Sequence, residues 1–211
     1  MATIAKTPFL LKALLPSQLI WSIPVEQEPT VYLTFDDGPH PTATPFVLQQ
    51  LKAFDAKATF FCIGKNVQAH PDVFVQITED GHTVGNHTQN HLNGWKTADD
   101  VYFDNINVAA ESIESRIFRP PYGRIKRAQG KHLWQQAKPW RIYMWDVLSC
   151  DFDRNITPEQ CLKNVVNNIE PGSIVVFHDS EKAWPRMSYA LPLVLEHCRQ
   201  KNWRMAALPK Y

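Results

Sequence analysis

The chain has 211 residues, of which 44% are hydrophobic and 20% are charged, and its 22 basic and 21 acidic side chains leave a formal net charge of +1. This composition excludes a disordered chain, and the length is sufficient for one domain with a substantial core. The balanced charge gives no reason to expect nucleic acid or an anionic membrane as a partner. Four widely spaced cysteines, without a Cys-x-x-Cys pair, are predicted to be reduced and buried: Cys62, Cys150, Cys161 and Cys198.

The N-terminal 30 residues contain an apolar patch after one early lysine, which hints at an export signal. However, Lys12 and Pro16 interrupt the patch, no Ala-x-Ala cleavage pattern follows, and the apolar length is too short to span a bilayer. We therefore expect residues 1–30 to form an amphipathic capping segment, followed by a single domain over residues 31–211. The expected location is cytoplasmic, with export or membrane association as the alternative.

From residue 31 onward, short β-rich apolar runs alternate with stretches of helical character. The runs cover residues 31–35, 58–64, 82–87, 117–121, 141–147, 173–179 and 203–208. Helices are predicted over residues 44–54, 70–81, 97–115 and 157–169, with threonines 44, 97 and 157 as N-terminal caps. The strands are continuously apolar, as expected for a parallel sheet buried on both faces. The alternation predicts an α/β fold with about seven strands, either an incomplete barrel or a doubly wound sheet.

Polar side chains collect where five of the predicted strands end. They are Asp36 and Asp37, His87 and His91, Arg119 and Tyr122, Asp151, and His178 with Asp179. In a parallel βα fold, the loops at the carboxyl ends of the strands open on one face, where active sites lie. We therefore expect these groups to converge on one cleft.

The stretch "HTQNH", residues 87–91, has the spacing of a metal-binding pair. On a turn of helix, His87 and His91 would share one face and could hold one cation together. Two imidazoles and one carboxylate from another strand end leave coordination positions open, which is typical of a catalytic metal site. The other histidines have no comparable setting: His40, His70, His82, His132 and His197.

Four motifs occur in one order along the chain: "TFDDGP" at residues 34–39, "HTQNH" at 87–91, "RPPYG" at 119–123 and "IVVFHD" at 174–179. From about Val31 to the C-terminus, the chain thereby resembles the polysaccharide deacetylases of the NodB-homology type, carbohydrate esterase family 4. The resemblance implies a single-domain distorted (β/α) barrel. It also implies a metal-dependent hydrolase that removes acetyl groups from N-acetylated sugars such as peptidoglycan, chitin-like or related N-acetylhexosamine saccharides.

The resemblance also implies roles for the two adjacent aspartates. Asp37, His87 and His91 would ligate a divalent metal, with Zn²⁺ as the first choice and Co²⁺, Ni²⁺ or Mn²⁺ as alternatives. Asp36 would be the general base that takes a proton from water. Arg119 would pair with this base and hold it in place.

On the opposite side of the reacting bond, the resemblance implies His178 as the general acid. Asp151 would hydrogen-bond His178 and favour its protonated form. The backbone N–H of Tyr122 would stabilise the oxyanion.

One motif departs from the family pattern. The family usually has D-x-x-D-W after the fifth strand, whereas this chain has "LSCDF" at residues 148–152. Asp151 is retained, but Leu148 replaces the first acid and Phe152 replaces the tryptophan. We expect a smaller aromatic wall against the acetyl methyl group, and this departure concerns the identity of the substrate more than the type of reaction.

Two other functions compete with sugar deacetylation. One is a metal-dependent hydrolase of a non-sugar amide, such as a cyclic ureide or imide. The other is a catalytically silent carbohydrate-binding protein, which retention of the base, the acid and all metal ligands disfavours. A sugar groove would favour an N-acetylated oligo- or polysaccharide as the partner, with Trp95, Trp145 and Trp184 as candidates for stacking. The sequence assigns no oligomeric state.

Overall fold

Strands and helices alternate along the chain as the sequence predicts. The structure is a computed structural model, which describes residues 5–8, 10, 12, 15–25 and 27–210. Its strands are β1 (Leu19–Ile20), β2 (Thr30–Asp36), β3 (Thr59–Cys62), β4 (Thr83–Asn86), β5 (Ile117–Phe118), β6 (Arg141–Tyr143), β7 (Val147–Leu148), β8 (Ile174–His178) and β9 (Arg204–Met205). The α-helices with described bounds are α1 (Ala43–Ala53), α2 (Gly64–Ala69), α3 (Pro71–Glu79), α4 (Asp99–Ala110), α5 (Arg127–Trp134), α6 (Pro158–Val166) and α7 (Trp184–Gln200).

The strands form one curled parallel sheet. Its order is β1-β6-β5-β4-β3-β2-β8-β7, and β9 pairs with the start of β2. The predicted α/β barrel-like fold is therefore confirmed. The sequence-based count of about seven strands misses β1 and β7, because two-residue strands carry no periodic pattern.

Residues ahead of β2 help to cover the gap between the two sheet edges. Lys6 forms an antiparallel bridge with Val147 of β7, and Ser22 forms one with Ser173 just before β8. The Lys6 ammonium also lies 2.6 Å from the buried Asp146 carboxylate, which Lys12 contacts as well. Residues 1–4, 9, 11, 13, 14 and 26 of the predicted capping segment lie outside the described residues, so the segment as a whole stays a prediction.

The register of the central strands brings the acidic end of β2 beside the histidine end of β8. Asp36 lies opposite His178 of β8 and Phe61 of β3. One residue earlier, Phe35 stacks between Phe60 and Phe177, with ring centroids 5.1 and 6.1 Å apart. This aromatic layer fills the core next to the polar strand ends. Its close packing holds the ends of the strands, and therefore the polar side chains on them, in position.

The predicted helices are present, but two of the three predicted caps are wrong. The Thr157 hydroxyl caps α6 by accepting from the Gln160 N–H at 3.2 Å. Helix α1 begins at Ala43, so Thr44 lies inside its first turn and donates its hydroxyl to a carboxylate elsewhere. Helix α4 begins at Asp99 without a side-chain cap, because the Thr97 hydroxyl donates to the Asn93 carbonyl instead.

Three helices were missed in the sequence: α2, α5 and α7. Helix α2 has only six residues, α5 contains a glycine, and α7 contains an internal proline, Pro192. Each feature weakens a helical signal in sequence. The four cysteines are buried and free of disulfides, as predicted. Among the described helices, none has the length and apolar character that crossing a bilayer requires.

Candidate active site

Three side chains from the ends of β2 and β4 form a cluster suited to a metal ion. Asp37 follows β2, and His87 and His91 lie in the loop after β4. The Nε2 atoms of His87 and His91 lie 3.7 and 3.2 Å from Asp37 Oδ1, and one ligand atom from each residue falls within 4.8 Å of the others. The expected helical turn is wrong: His91 has a φ of 57°, so a loop brings the imidazoles together.

The chemistry of this cluster fits a divalent cation. Asp37 Oδ1 is buried and accepts no hydrogen bond from the described residues. Burial would raise the pKa of Asp37, but the His91 ring beside it and the positive charge of His178 hold that pKa well below its usual range. Burial lowers the pKa of His87 to about 4, so this imidazole is neutral at physiological pH. A buried carboxylate oxygen that accepts no hydrogen bond, beside two imidazole nitrogens, is the donor set that a metal ion completes.

A buried hydrogen bond also fixes the orientation of His87. Its Nδ1–H donates to the Arg119 carbonyl at 2.7 Å, which leaves Nε2 directed to the cluster. Such partners are typical of metal-ligating histidines, because they set both the tautomer and the ring orientation. Arg119 therefore contacts both groups: its backbone carbonyl accepts from His87 of the metal cluster, and its guanidinium donates to Asp36.

Asp36 is held by Arg119, whose side chain is fully buried. Arg119 Nη1 donates to Asp36 Oδ1 at 2.8 Å and to the Thr34 hydroxyl at 2.7 Å. Arg119 Nε donates to the Tyr143 carbonyl at 3.2 Å, and Nη2 donates to the Met144 carbonyl at 2.8 Å. With its donors satisfied by fixed partners, the guanidinium can hold the carboxylate in one orientation.

His178 at the end of β8 and Asp151 in the loop after β7 form a second pair. The His178 ring Nδ1–H and its backbone N–H each donate to Asp151 at 2.7 Å, so the carboxylate is engaged through both oxygens. Burial alone would lower the pKa of His178, but the Asp151 carboxylate outweighs it and raises that pKa to about 9. His178 is therefore protonated at neutral pH, with Nε2–H free to serve as a donor.

Tyr122 lies at the exposed edge of the metal cluster. Its side chain is 60% exposed, and its hydroxyl lies 3.1 Å from His91 Nδ1. The backbone at Tyr122 has a φ of 59°, and Asp37 has a φ of 78°. Left-handed conformations at residues other than glycine are strained, and such strain is concentrated at functional sites.

All of these groups surround one cavity of about 480 Å³. Asp36, Asp37, His87, His91, Tyr122 and His178 line it, whereas Arg119 and Asp151 support the lining from behind. Trp145, Leu148 and Phe152 provide apolar walls. The structure thus brings together the eight residues predicted as the site.

A family model for "Polysaccharide deacetylase" matches residues 25–139. A peptidoglycan-N-acetylglucosamine deacetylase of Bacillus cereus is 34% identical over 187 residues, covering 85% of this chain and 66% of that protein. A second deacetylase of the same kind and organism is 33% identical, covering 89% of this chain and 90% of that protein. The chain belongs to the polysaccharide deacetylase family.

Solved structures of the family share the fold. The Bc1960 peptidoglycan N-acetylglucosamine deacetylase, in complex with 4-naphthalen-1-yl-N-oxidanyl-benzamide, has a TM-score of 0.85 at 31% identity and covers 96% of this chain and 95% of that one. BA3943 of Bacillus anthracis, a pseudoenzyme of carbohydrate esterase family 4, has a TM-score of 0.77 at 24% identity. The match covers 94% of this chain and 69% of that one. Since a pseudoenzyme has this fold, the fold alone does not decide activity, and the residues of the site must do so.

The two departures from the family pattern both lie in the cavity. The Phe152 ring packs edge-on against His178, with centroids 5.2 Å apart, and Leu148 forms the neighbouring wall. Of the tryptophans considered for sugar stacking, Trp145 lines the cavity. Trp184 is wrong for this role, because it packs against Phe46 on the hydrophobic core. The chain therefore keeps an apolar wall, built from other residues than the family's tryptophan.

A buried carboxyl that the sequence analysis left without a role, Asp179, supports the aspartate turn. Asp179 accepts from the Gly38 N–H at 3.1 Å and from the Thr44 hydroxyl at 2.5 Å. Its own N–H donates to the Asp36 carbonyl at 3.1 Å. The only sequence signal was its position directly after His178 at a strand end.

Gly38→Ala is expected to destabilise this turn. A Cβ on Gly38 would lie 2.1 Å from Asp179 Oδ2, so the carboxyl or the turn must move. We expect a loss of about 1–3 kcal/mol in the free energy of unfolding, as for other overpacked sites, with weaker metal binding. Thermal unfolding and metal titration measure the two effects.

Gly130→Ala is the matched control. Gly130 lies inside α5, and a Cβ there would meet its nearest atoms at 3.8 Å. This substitution should be neutral or stabilise the protein by up to about 1 kcal/mol. Equal stability of the Gly38→Ala variant and the wild type would contradict the role given to the Asp179 contacts.

Proposed function

We propose that the chain is a metal-dependent deacetylase, which hydrolyses the acetamide group of N-acetylhexosamine residues in an oligo- or polysaccharide. The arrangement that carries this proposal is the placement of Asp36 and His178 around one cavity with the Asp37–His87–His91 cluster. A base and an acid on either side of a cation site are the groups that amide hydrolysis requires.

Zn²⁺ is the cation we propose for the cluster. One carboxylate and two imidazoles are common ligands of catalytic zinc, and three protein ligands leave a position open. When bound, such an ion lowers the pKa of water and polarises a carbonyl group. Asp37, His87 and His91 would hold it, and His87 is already oriented by the Arg119 carbonyl.

Asp36 would take a proton from the attacking water. It is the carboxylate that the cation cluster leaves free, and its orientation is fixed by Arg119 at 2.8 Å. A base held in place by a buried guanidinium keeps its lone pairs directed at the site, which favours proton transfer.

His178 would deliver a proton to the amine nitrogen as the C–N bond breaks. Its Nδ1–H is held by Asp151, so its Nε2–H is the donor available to the cavity. The backbone N–H of Tyr122 would donate to the carbonyl oxygen as negative charge develops there. Without proton donation by His178, the leaving amine would depart as an unstable anion.

Acetyl release from defined saccharides tests this function. The metal-loaded protein and a chelated sample are incubated with tetra-N-acetylchitotetraose and with peptide-free peptidoglycan oligosaccharides, and acetyl loss is measured by mass spectrometry. We expect loss only in the metal-loaded sample, and inhibition by 4-naphthalen-1-yl-N-oxidanyl-benzamide. Bound metal without acetyl loss from any saccharide would overturn the proposal and favour a non-sugar amide as substrate.

The rate should decrease at alkaline pH as His178 loses its proton. Because Asp151 raises the pKa of His178 to about 9, the protonated acid persists below this pH and is lost above it. In an Asp151→Asn variant, burial lowers the pKa of His178 and only the weaker effects of Asp37 and Asp36 oppose it, so the alkaline limb should move to lower pH. The pH dependence of kcat/KM measures this shift.

Asp153→Asn is the control for the alkaline limb. Asp153 lies two residues further along the same loop, where its carboxylate accepts from Asn155. This variant should keep the wild-type alkaline limb. An unchanged limb in Asp151→Asn would contradict the assignment of His178 as the general acid.

A further inference from the structure

Residues 144–148, here called the wall segment, supply two of the apolar side chains around the cavity. They connect β6 to β7 and include β7 itself. Trp145 and Leu148 line the cavity. At the start of the segment, the Met144 carbonyl accepts from Arg119 Nη2 at 2.8 Å. The position of the wall segment therefore affects both the apolar wall and the guanidinium that holds the proposed base.

Three residues near the N-terminus pair with the wall segment along the edge of the sheet. Strand β7 is the last strand in the sheet order, and Ala5, Lys6 and Thr7, here called the N-terminal strap, lie antiparallel to it. The Leu148 N–H donates to the Ala5 carbonyl at 2.8 Å, and the Thr7 N–H donates to the Asp146 carbonyl at 2.8 Å. The strap thus satisfies backbone groups that an edge strand would otherwise leave open.

Both the carbonyl and the ring of Trp145 are held in place. The hydroxyl of the buried Thr7 donates to the Trp145 carbonyl at 2.9 Å. The Trp145 ring packs edge-on against Trp21, with ring centroids 6.3 Å apart. Gly123 lies so close that a Cβ there would be 2.5 Å from the same ring. Because the ring has little room to move, it can limit the size of a group that binds beside it.

A buried carboxylate joins the strap to the wall segment by charge. Asp146 is only 2% exposed, accepts from the Lys6 ammonium and the Ser173 hydroxyl at 2.6 Å each, and also contacts Lys12. Burial would raise the pKa of Asp146, but Lys12 and Lys6 hold it below its usual range. Lys6 shares its charge with the exposed Glu170 at 2.7 Å. Since a buried charge without partners is costly, the observed position of the wall segment is stabilised by these N-terminal lysines.

We propose that the N-terminal strap sets the acyl selectivity of the cavity, by holding Trp145 and Leu148 as a fixed wall that admits an acetyl group and excludes longer acyl groups. Its members are positioning residues, since they act through the wall segment and do not line the cavity themselves. The strap also lies outside residues 25–139, which the family model matches. This inference rests on the proposed function for the reaction and adds the element that determines the size of the acyl group.

Two matched pairs of compounds test the inference. The first pair is tetra-N-acetylchitotetraose and its tetra-N-propionyl analogue, for which kcat/KM is measured on the metal-loaded protein. The second pair is acetate and propionate, whose dissociation constants are measured from the visible spectrum of the Co²⁺-loaded protein, without turnover. Each acyl group differs by one methylene, for which a closed pocket discriminates by about 10–200-fold. We expect the wild type to favour the shorter acyl group in both pairs.

The Lys6→Met/Thr7→Val double substitution should lower the acetyl-to-propionyl ratio of kcat/KM by about tenfold. The acetate-to-propionate preference should fall in the same direction. The variant lacks the ammonium and the hydroxyl of the strap but keeps its backbone pairing, and Lys12 remains beside Asp146. Thr7→Val alone, which removes one hydroxyl at nearly unchanged shape, should show a smaller decrease and serves as the test if the double variant does not fold.

Lys57→Met/Thr78→Val is the matched control. The Lys57 ammonium and the Thr78 hydroxyl each donate to a backbone carbonyl, at 2.6 and 2.8 Å, and neither residue lines the cavity. This variant should keep both selectivity ratios of the wild type. Thermal unfolding of all variants shows that the comparison is made between folded proteins.

Unchanged ratios in a folded strap variant would overturn the inference and leave the proposed function intact. An equal loss of kcat/KM for both saccharides would also overturn it, because the strap would then support the fold without setting selectivity. If the metal-loaded wild type released no acetyl group from any saccharide, the proposed function would fail. In that case a decrease in the acetate-to-propionate preference of the variant would still support the inference, and an unchanged preference would overturn it.

Discussion

Asp36→Asn is expected to lower kcat by about 10²–10⁴-fold, the usual contribution of a general base, while the protein keeps its metal. Asparagine has nearly the shape of aspartate but cannot accept a proton from water. The metal cluster is formed by Asp37, His87 and His91, so Asp36 is not one of the predicted ligands. Acetyl release measures kcat, and elemental analysis measures the metal content.

This variant should also be less stable than the wild type. Arg119 is fully buried, and Asp36 is its counter-charge at 2.8 Å. Removing one partner leaves a buried charge without compensation, which is costly. Activity must therefore be compared well below the melting temperature of the variant, with the exposed Asp104→Asn of α4 as the control. Wild-type kcat in a folded Asp36→Asn variant would show that another group acts as the base.

His91→Ala is expected to lose both metal and activity. The substitution removes one of three predicted ligands, and two remaining ligands hold a divalent ion much less tightly. His91 is partly exposed in a loop and makes a side-chain contact with Tyr122 at 3.1 Å, so its removal should alter the fold little. Metal titration, acetyl release and thermal unfolding separate loss of the ligand from loss of the fold.

His132→Ala provides the control for the histidine substitution. His132 is exposed on α5 and stacks on Phe103, with ring centroids 4.2 Å apart, so it lies outside the cavity lining. This variant should bind metal and release acetyl groups as the wild type does. Full activity of His91→Ala without bound metal would refute the metal-dependent mechanism.

The acidic end of β2 shows which structural features the local sequence can predict. The apolar run ahead of Asp36 predicts a buried strand, and the two acids, glycine and proline that follow predict a turn at the active face. Similar reasoning found the strand ends before His87, Arg119 and His178. The motifs could indicate the candidate catalytic residues because each motif spans only a few residues. Over that length, the local sequence largely determines the local geometry.

Contacts between distant residues were beyond that reasoning. Asp179 and Gly38 are 141 residues apart, and nothing local predicts that one accepts a hydrogen bond from the other. The same holds for the Arg119 bonds to the Tyr143 and Met144 carbonyls. The helical turn expected at residues 87–91 was wrong, because tertiary packing imposes left-handed backbone on His91.

By itself, the sequence determined the α/β class, the positions of most strands, the family and the candidate residues of the reaction. These follow from hydrophobic periodicity and short motifs, which are local properties of the chain. Only the tertiary structure decided how those residues face one another and which carboxyl supports the aspartate turn. These depend on curling of the sheet, which brings residues such as His91 and His178 to one cavity although 87 positions separate them.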